Sequence, residues 1–300
     1  MAEDIRDVAF IDHKDVIGLN FIKSGGPYVF RRHFRQGLRS HIMEVLLADD
    51  LEREARGQWI GGLRRFPKAL PCRMLRIFRH RLCTLANALG EIRRVKLAER
   101  YLTSEFLARS SEIVVAYSGP RGRDLLLCGL QEYVHGAIVD PWSILDTKGF
   151  LRMLYEDVHS LGAGESMIRE RWLGAVSQNG ARFIRRIKQM VLKEGHVPDL
   201  AGVGNILITP SGLLKLVDIN NISRVFLDSR IRVDDRGYPV CDKSIEALAL
   251  LETKLLGRTV DPSEAVYRTF LDPIRRQEVK ALEQKVNIQQ RPARGLDECD

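Results

Sequence analysis

The chain lacks any apolar run approaching the ~18 residues of a membrane-spanning helix, which excludes a helical membrane protein. It also lacks a signal-peptide pattern, since Met1-Ala2-Glu3-Asp4-Ile5-Arg6-Asp7 is polar and acidic. No Cys-x-x-Cys pair is present. Cys72, Cys83, Cys128, Cys241 and Cys299 are scattered and odd in number. That argues against a disulfide framework and for free thiols in a reducing cytosol. The seven histidines show no metal-ligand spacing, so a structural zinc is not expected. Internal repeats and low-complexity blocks are absent as well.

What is present is an ordinary globular composition. An apolar fraction of 45% over 300 residues suits one large domain or two fused lobes. The formal net charge of +8 is unevenly spread, with eleven Lys/Arg and two acids between Arg64 and Arg100. Such a stretch reads either as a solvated helix face or as a partner surface for phosphate, nucleic acid, an anionic membrane or a protein. No recognised nucleic-acid motif accompanies it, so nucleic acid ranks last.

Two short strands, Val16–Ile22 and Tyr28–Arg32, are expected around a Ser24-Gly25-Gly26-Pro27 turn. Ile42, Val45 and Leu46 predict a helix over 39–56. Leu75, Phe78, Leu82, Leu85 and Leu89 predict another over 72–90, with Arg73, Arg76, Arg79 and Arg81 largely off the apolar stripe. Strands follow at 113–117 and 125–134 around the turn Ser118–Gly122. Helices are then expected at 146–161, 166–193, 243–256 and 262–286. This order predicts an α+β chain of two lobes. The join falls near 134–138.

The segment from Gly195 to Asp218 concentrates the polar chemistry. Asp199 and Asn205 lie in a loop after a long helix. The strands Ile206–Thr209 and Leu213–Val217 pair across Pro210-Ser211-Gly212, bringing Asn205 and Asp218 to one end. Hard oxygen donors at one point suit Mg²⁺, which takes one or two carboxylates from a protein. Asp and Asn beside Gly and Pro are also ordinary turn residues that cap backbone groups.

The ordered set Asp199-Leu200, Gly204-Asn205-Ile206-Leu207 and Val217-Asp218 resembles the catalytic centre of the protein-kinase-like superfamily. The interval of thirteen residues from Asn205 to Asp218 is similar to the family's, and Gly-Asn-Ile-Leu resembles its small-molecule kinases, lipopolysaccharide-type enzymes included. Gln131-Glu132-Tyr133-Val134-His135-Gly136 is similar to the hinge that holds an adenine. The resemblance implies a divergent bacterial member with a two-lobed fold, a small β-rich N-terminal lobe and a larger helical C-terminal lobe. It divides the chain into 1–136 with a basic helical insertion, 137–286 with the catalytic-loop hairpin, and a flexible tail at 287–300.

The same resemblance implies an ATP- and Mg²⁺-dependent phosphotransferase. Asp199 would orient an acceptor hydroxyl on a small molecule or saccharide, and Asn205 and Asp218 would hold the metal. Glu132, Tyr133 and Val134 would contact nucleotide. Arg31 or Arg32 would stand in for the phosphate-binding Lys, with Glu52 or Glu54 as ion-pair partner. His196 reads as a loop-packing group.

Three departures stand out. Asp199 precedes Asn205 by six residues where the family has five, so one residue must bulge at Gly202 or Gly204. Asp218-Ile219-Asn220 replaces Asp-Phe-Gly, which argues against a protein substrate. The Gly-rich loop and a clear Lys strand are missing, which makes a pseudokinase, a nucleotide- or partner-binding regulatory module, the alternative. The expected location is the cytoplasm, with the basic stretch suiting the inner membrane face.

Overall fold

The computed structural model describes residues 3–23, 26–34, 37, 39–160 and 167–289, with backbone alone at 287–289. Two compact units emerge, one of residues 1–94 and 108–133, the other of residues 95–107 and 134–300. The class is α+β: a unit rich in antiparallel sheet, and a helical unit carrying the loop and hairpin.

The first unit is built on a five-stranded antiparallel sheet in the order β1-β2-β5-β7-β6. Its strands are β1 (Tyr28–Arg32), β2 (Ser40–Leu47), β5 (Arg73–Phe78), β6 (Ser110–Gly119) and β7 (Gly122–Glu132). Alternation along each strand sends side chains to two faces. Met43, Val45, Leu75, Ile77 and Cys128 pack on one face against Ile5, Val16 and Leu19 of the N-terminal segment, which includes α1 (His13–Ile17). Phe78 and Leu127 point the other way, toward Leu82 and Ala88. Between β2 and β5 lie α2 (Ala48–Arg56) and a hairpin of β3 (Gln58–Ile60) and β4 (Leu63–Arg65).

Three sequence expectations are corrected here. Val16–Ile22 is no strand, because Asp12 caps a short helix through the Lys14 and Asp15 N–H groups. The turn residues Ser24 and Gly25 lie outside the described residues. Residues 40–47 form a strand, and only 48–56 of the expected helix is helical. A central strand buried on both faces reads as a nearly continuous apolar run, which periodicity cannot separate from a helix. Residues 73–78 are also a strand, and the helix α3 starts only at Leu85, running to Phe106. Arginines at 73, 76 and 79 imitate helical spacing, but Arg76 is buried within the sheet. The helix expected over 72–90 is therefore a strand followed by the first residues of α3. Arg79 donates to the Arg6 carbonyl, and Arg81 pairs with Asp4 and Asp7.

The second unit packs α4 (Thr147–Ser160), α5 (Arg169–Glu194) and α6 (Val240–Leu256) with the end of α3 around one core, which contains Phe106, Phe150, Trp172, Phe183 and Leu248. Gly180, a residue that can kink or split a helix, leaves α5 continuous. Gly180 sits where helix α5 passes Leu255 and Leu256, and a Cβ there would already meet the Leu255 side chain at 3.4 Å. Thr103 is left-handed at φ +54° and breaks α3. The freed Tyr101 carbonyl accepts from Arg186 at 2.9 Å and the Ser104 carbonyl from Lys215 at 2.6 Å. Short strands complete the unit: β8 (Ala137–Ile138), β9 (His196–Pro198), β10 (Ile206–Ile208), β11 (Leu214–Leu216) and β12 (Ile222–Arg224). Only 273–286 of the last expected helix forms, as part of α7 (Pro273–Gln289). That helix runs into the stretch expected as a tail, and 290–300 lies outside the described residues.

Candidate active site

The loop begins where α5 ends. Gly195 takes the left-handed C-cap conformation at φ +61°, its N–H donating to the Val191 carbonyl. Strand β9 then pairs antiparallel with β12, which sets Asp199 beside Asn221. The Asp199 N–H donates to the Asn221 carbonyl at 2.8 Å, and the Asn221 amide donates to Asp199 Oδ2 at 2.9 Å. Asp199 Oδ1 accepts from the N–H groups of Ala201 at 3.0 Å and Gly202 at 3.2 Å. The carboxylate is thus held by its own loop, and Asp199 as a residue is half-buried.

The extra residue between Asp199 and Asn205 is absorbed in a tight turn. The Asn205 N–H donates to the Gly202 carbonyl at 3.0 Å, and Gly204 sits at φ +91°. A positive φ at the third turn position is what a type II turn demands, and glycine supplies it without strain. The turn aims the Asn205 amide back at the Asp199 carbonyl, 2.9 Å away.

Beyond Asn205 the hairpin runs in register, with Ile206 opposite Leu216 and Ile208 opposite Leu214. Gly212 closes it at φ +74°. One further ladder bond, from the Val217 N–H to the Asn205 carbonyl at 2.8 Å, extends the pairing. Asp218 is the next residue, so Asn205 and Asp218 emerge at the same end. Asp218 also faces Asp199. Burial first, and the Asp218 charge second, raise the Asp199 carboxyl above its ordinary value, against the Gly202, Ala201 and Asn221 donors that lower it.

Groups that sequence reading missed support the loop from elsewhere in the same unit. Ser244 Oγ on α6 accepts from the Leu200 N–H at 3.3 Å, and Trp142 Nε1 donates to the Ala201 carbonyl at 2.8 Å. The Lys243 ammonium lies 4.0 Å from the Trp142 ring centre. Tyr238, whose phenol is raised chiefly by burial, also feels the Asp199 charge. His196 packs as expected, its ring bonded to the Glu194 carbonyl at 2.6 Å.

The donor set suits a small hard cation. Among the described residues, no three His, Cys, Asp or Glu side chains form a metal cluster. A metal here would rely on the Asp218 carboxylate, the Asn205 amide oxygen and oxygens from outside the protein, which is how Mg²⁺ is usually held beside phosphates.

The remaining expected contacts are in the first unit, except Val134, which is buried at the start of the second. Arg31 donates from each guanidinium nitrogen: Nε to Glu44 at 2.7 Å, Nη1 to Glu54 at 2.8 Å and Nη2 to the Ala69 carbonyl at 3.1 Å. Glu54 is therefore its partner, while Glu52 pairs with Arg56. Arg32 is exposed and stacks 3.7 Å from the Phe10 ring centre. Glu132 accepts from the Arg109 N–H at 3.1 Å. The Tyr133 hydroxyl is raised above its ordinary value by burial, with Glu44 adding to the effect.

Gly202→Ala is expected to disturb this site without unfolding the unit. A Cβ at 202 would lie 2.5 Å from the Asn205 amide nitrogen, so that side chain must move. The displaced amide should lose its bond to the Asp199 carbonyl, and any metal binding that uses the Asn205 oxygen should fall about tenfold or more, with the melting temperature nearly unchanged. Titration calorimetry beside a thermal melt checks both.

No protein-family model matches the chain, and no curated protein matches it in sequence. Among solved structures, it is similar to one described as ROP18 kinase domain in complex with AMP-PNP and sucrose. The identity is 13%, the TM-score is 0.35, and the match covers 88% of this chain and 83% of that one.

Proposed function

We propose that this chain is a kinase-like phosphotransferase that uses Mg-ATP to phosphorylate a hydroxyl of a small molecule or saccharide. The observation that supports this reading is the convergence of Asp199, Asn205 and Asp218 at one end of a single hairpin. Asn205 and Asp218 would hold Mg²⁺, whose charge would neutralise the phosphates and favour their transfer.

Asp199 has the properties of the group that handles the acceptor. Its carboxylate offers about four lone-pair sites. Three are taken, two on Oδ1 and one on Oδ2. The remaining site on Oδ2 can receive an acceptor O–H. A carboxylate whose proton affinity is raised is a better base near neutral pH than an ordinary one. In the reaction the acceptor O–H proton would pass to Asp199 as the acceptor oxygen bonds to the γ-phosphorus and the bond from that phosphorus to the bridging oxygen breaks, ADP departing.

One observation favours a second reading, a pseudokinase that binds nucleotide without turnover. Three of the five N–H donors of Arg31 already go to Glu44, Glu54 and the Ala69 carbonyl, which leaves it less available to a phosphate than an unpaired Lys would be. An ADP-release assay with Mg-ATP and a panel of hydroxyl acceptors separates the two readings. Acceptor-dependent ADP above the background supports transfer. ATP binding without acceptor-dependent ADP supports the regulatory module.

A further inference from the structure

We infer that the β3–β4 hairpin is a membrane-docking element that seats its tip in the interface of an anionic phospholipid bilayer. The inference stands apart from the phosphoryl-transfer site and rests on residues 56–73.

Gly61 and Gly62 form the turn, at φ +59° and +78°. Two consecutive positive φ values give the tight primed turn of a two-residue hairpin. Trp59 pairs with Arg64 and Ile60 with Leu63. Directly opposed residues share a face, and neighbouring pairs alternate. Trp59 and Arg64 therefore occupy one face, and Ile60 and Leu63 the other. Both faces are open: Trp59 is 72% exposed, Leu63 63% and Phe66 61%. A two-stranded hairpin with neither face covered is marginal in water, and so concentrated an apolar tip calls for a partner.

Charge selects that partner. From Arg56 to Arg73 there are five basic residues and no acid. The Arg64 guanidinium donates to the Arg56 carbonyl at 2.9 Å and lies 5.6 Å from the Phe66 ring centre, while Arg65 and Lys68 are exposed. Basic heads beside an apolar and aromatic tip match a surface with anionic phosphates above hydrocarbon, with Trp at the boundary. A protein partner would cover one face. A bilayer surrounds a tip from all sides, which fits apolar groups on both.

The stem is held firmly enough to carry such a tip. Glu54 Oε2 accepts from Arg31 at 2.8 Å and from the Ala69 N–H at 3.3 Å, so α2, β1 and the strand-exit segment are tied at the hairpin's base. Of the expected basic stretch at 64–100, Arg64, Arg65 and Lys68 belong to the hairpin and its immediate flank, while Arg93, Lys96 and Arg100 are exposed on α3.

Co-sedimentation of the full chain with phosphatidylcholine vesicles, with and without phosphatidylglycerol, tests this. Binding is expected only with phosphatidylglycerol and is expected to weaken with salt. Trp59→Ala/Leu63→Ala and Arg64→Glu/Arg65→Glu should each reduce binding about tenfold or more while melting like wild type, since these side chains are exposed. Brominated lipid should quench wild-type fluorescence more than that of Trp59→Phe, because of the other two tryptophans Trp172 is buried and Trp142 is half-buried with its Nε1 bonded to the Ala201 carbonyl. Absence of binding to anionic vesicles, or binding that ignores both double variants, would overturn the inference. So would a wild-type dimer that Trp59→Ala/Leu63→Ala converts to monomer, since a second copy would then cover the tip.

Discussion

Asp199→Asn is expected to lower acceptor-dependent phosphoryl transfer by about 10²–10⁴-fold, the usual contribution of a positioned general base. The same substitution is expected to stabilise the protein near neutral pH. The reason is the sign of the perturbation. Burial and the Asp218 charge raise the folded-state value of Asp199 above its unfolded one, so ionising it costs more in the folded chain. Stability is therefore complete below the ordinary carboxylate range and declines as pH rises through the raised value. Asn carries no charge and escapes that decline.

Its carbonyl can still accept from Ala201 and Gly202, and the Asn221 amide can rotate to offer its oxygen. Denaturant unfolding of wild type and Asp199→Asn at pH about 7.5 and about 3.5 tests this. The variant should be the more stable at the higher pH, with the gap closing at the lower. A gap independent of pH would mean that Asp199 is not held at a raised value. Unchanged turnover would remove it from the chemistry.

Arg275→Met is expected to cost about 3–5 kcal/mol, the usual penalty for leaving one buried charge without its partner. Arg275 and Asp242 are both nearly fully buried and meet at 2.5 Å and 3.2 Å. Arg275 also donates to the Asp228 carbonyl at 2.8 Å and the Arg230 carbonyl at 3.3 Å. Its loss strands an anion and two carbonyls together. The damage should reach the site, because Asp242 is two residues from Ser244, which holds the Leu200 N–H. The double variant Arg275→Met/Asp242→Leu should recover part of the loss by removing the stranded charge. Urea unfolding of the three variants reads the cycle. A single variant within about 1 kcal/mol of wild type would show the pair to be dispensable.

How far the sequence revealed this molecule depended on the range of the forces involved. The loop and hairpin were legible because their determinants are local. Gly204 permits the turn that absorbs the extra residue, Gly212 closes the hairpin, and strand pairing carries Asn205 and Asp218 to one end. The strand at 40–47 was not legible, since its burial on both sides erases the alternation that marks a strand. The strand at 73–78 hid behind arginines with helical spacing. Ser244 and Trp142 had no local signal at all, because they reach the loop only through packing of α6 and the segment before α4. The basic stretch was visible as charge, but its division between latch residues such as Arg81 and exposed ones such as Arg65 depends on tertiary partners.

Titration calorimetry of ATP into the protein, with Mg²⁺ and with EDTA, and again with Asp218→Asn, tests the central claim most directly. Saturable binding that requires Mg²⁺ in the wild type and weakens about tenfold or more in the variant is the predicted result. No ATP binding by folded wild type, or binding indifferent to both Mg²⁺ and Asp218→Asn, would contradict it.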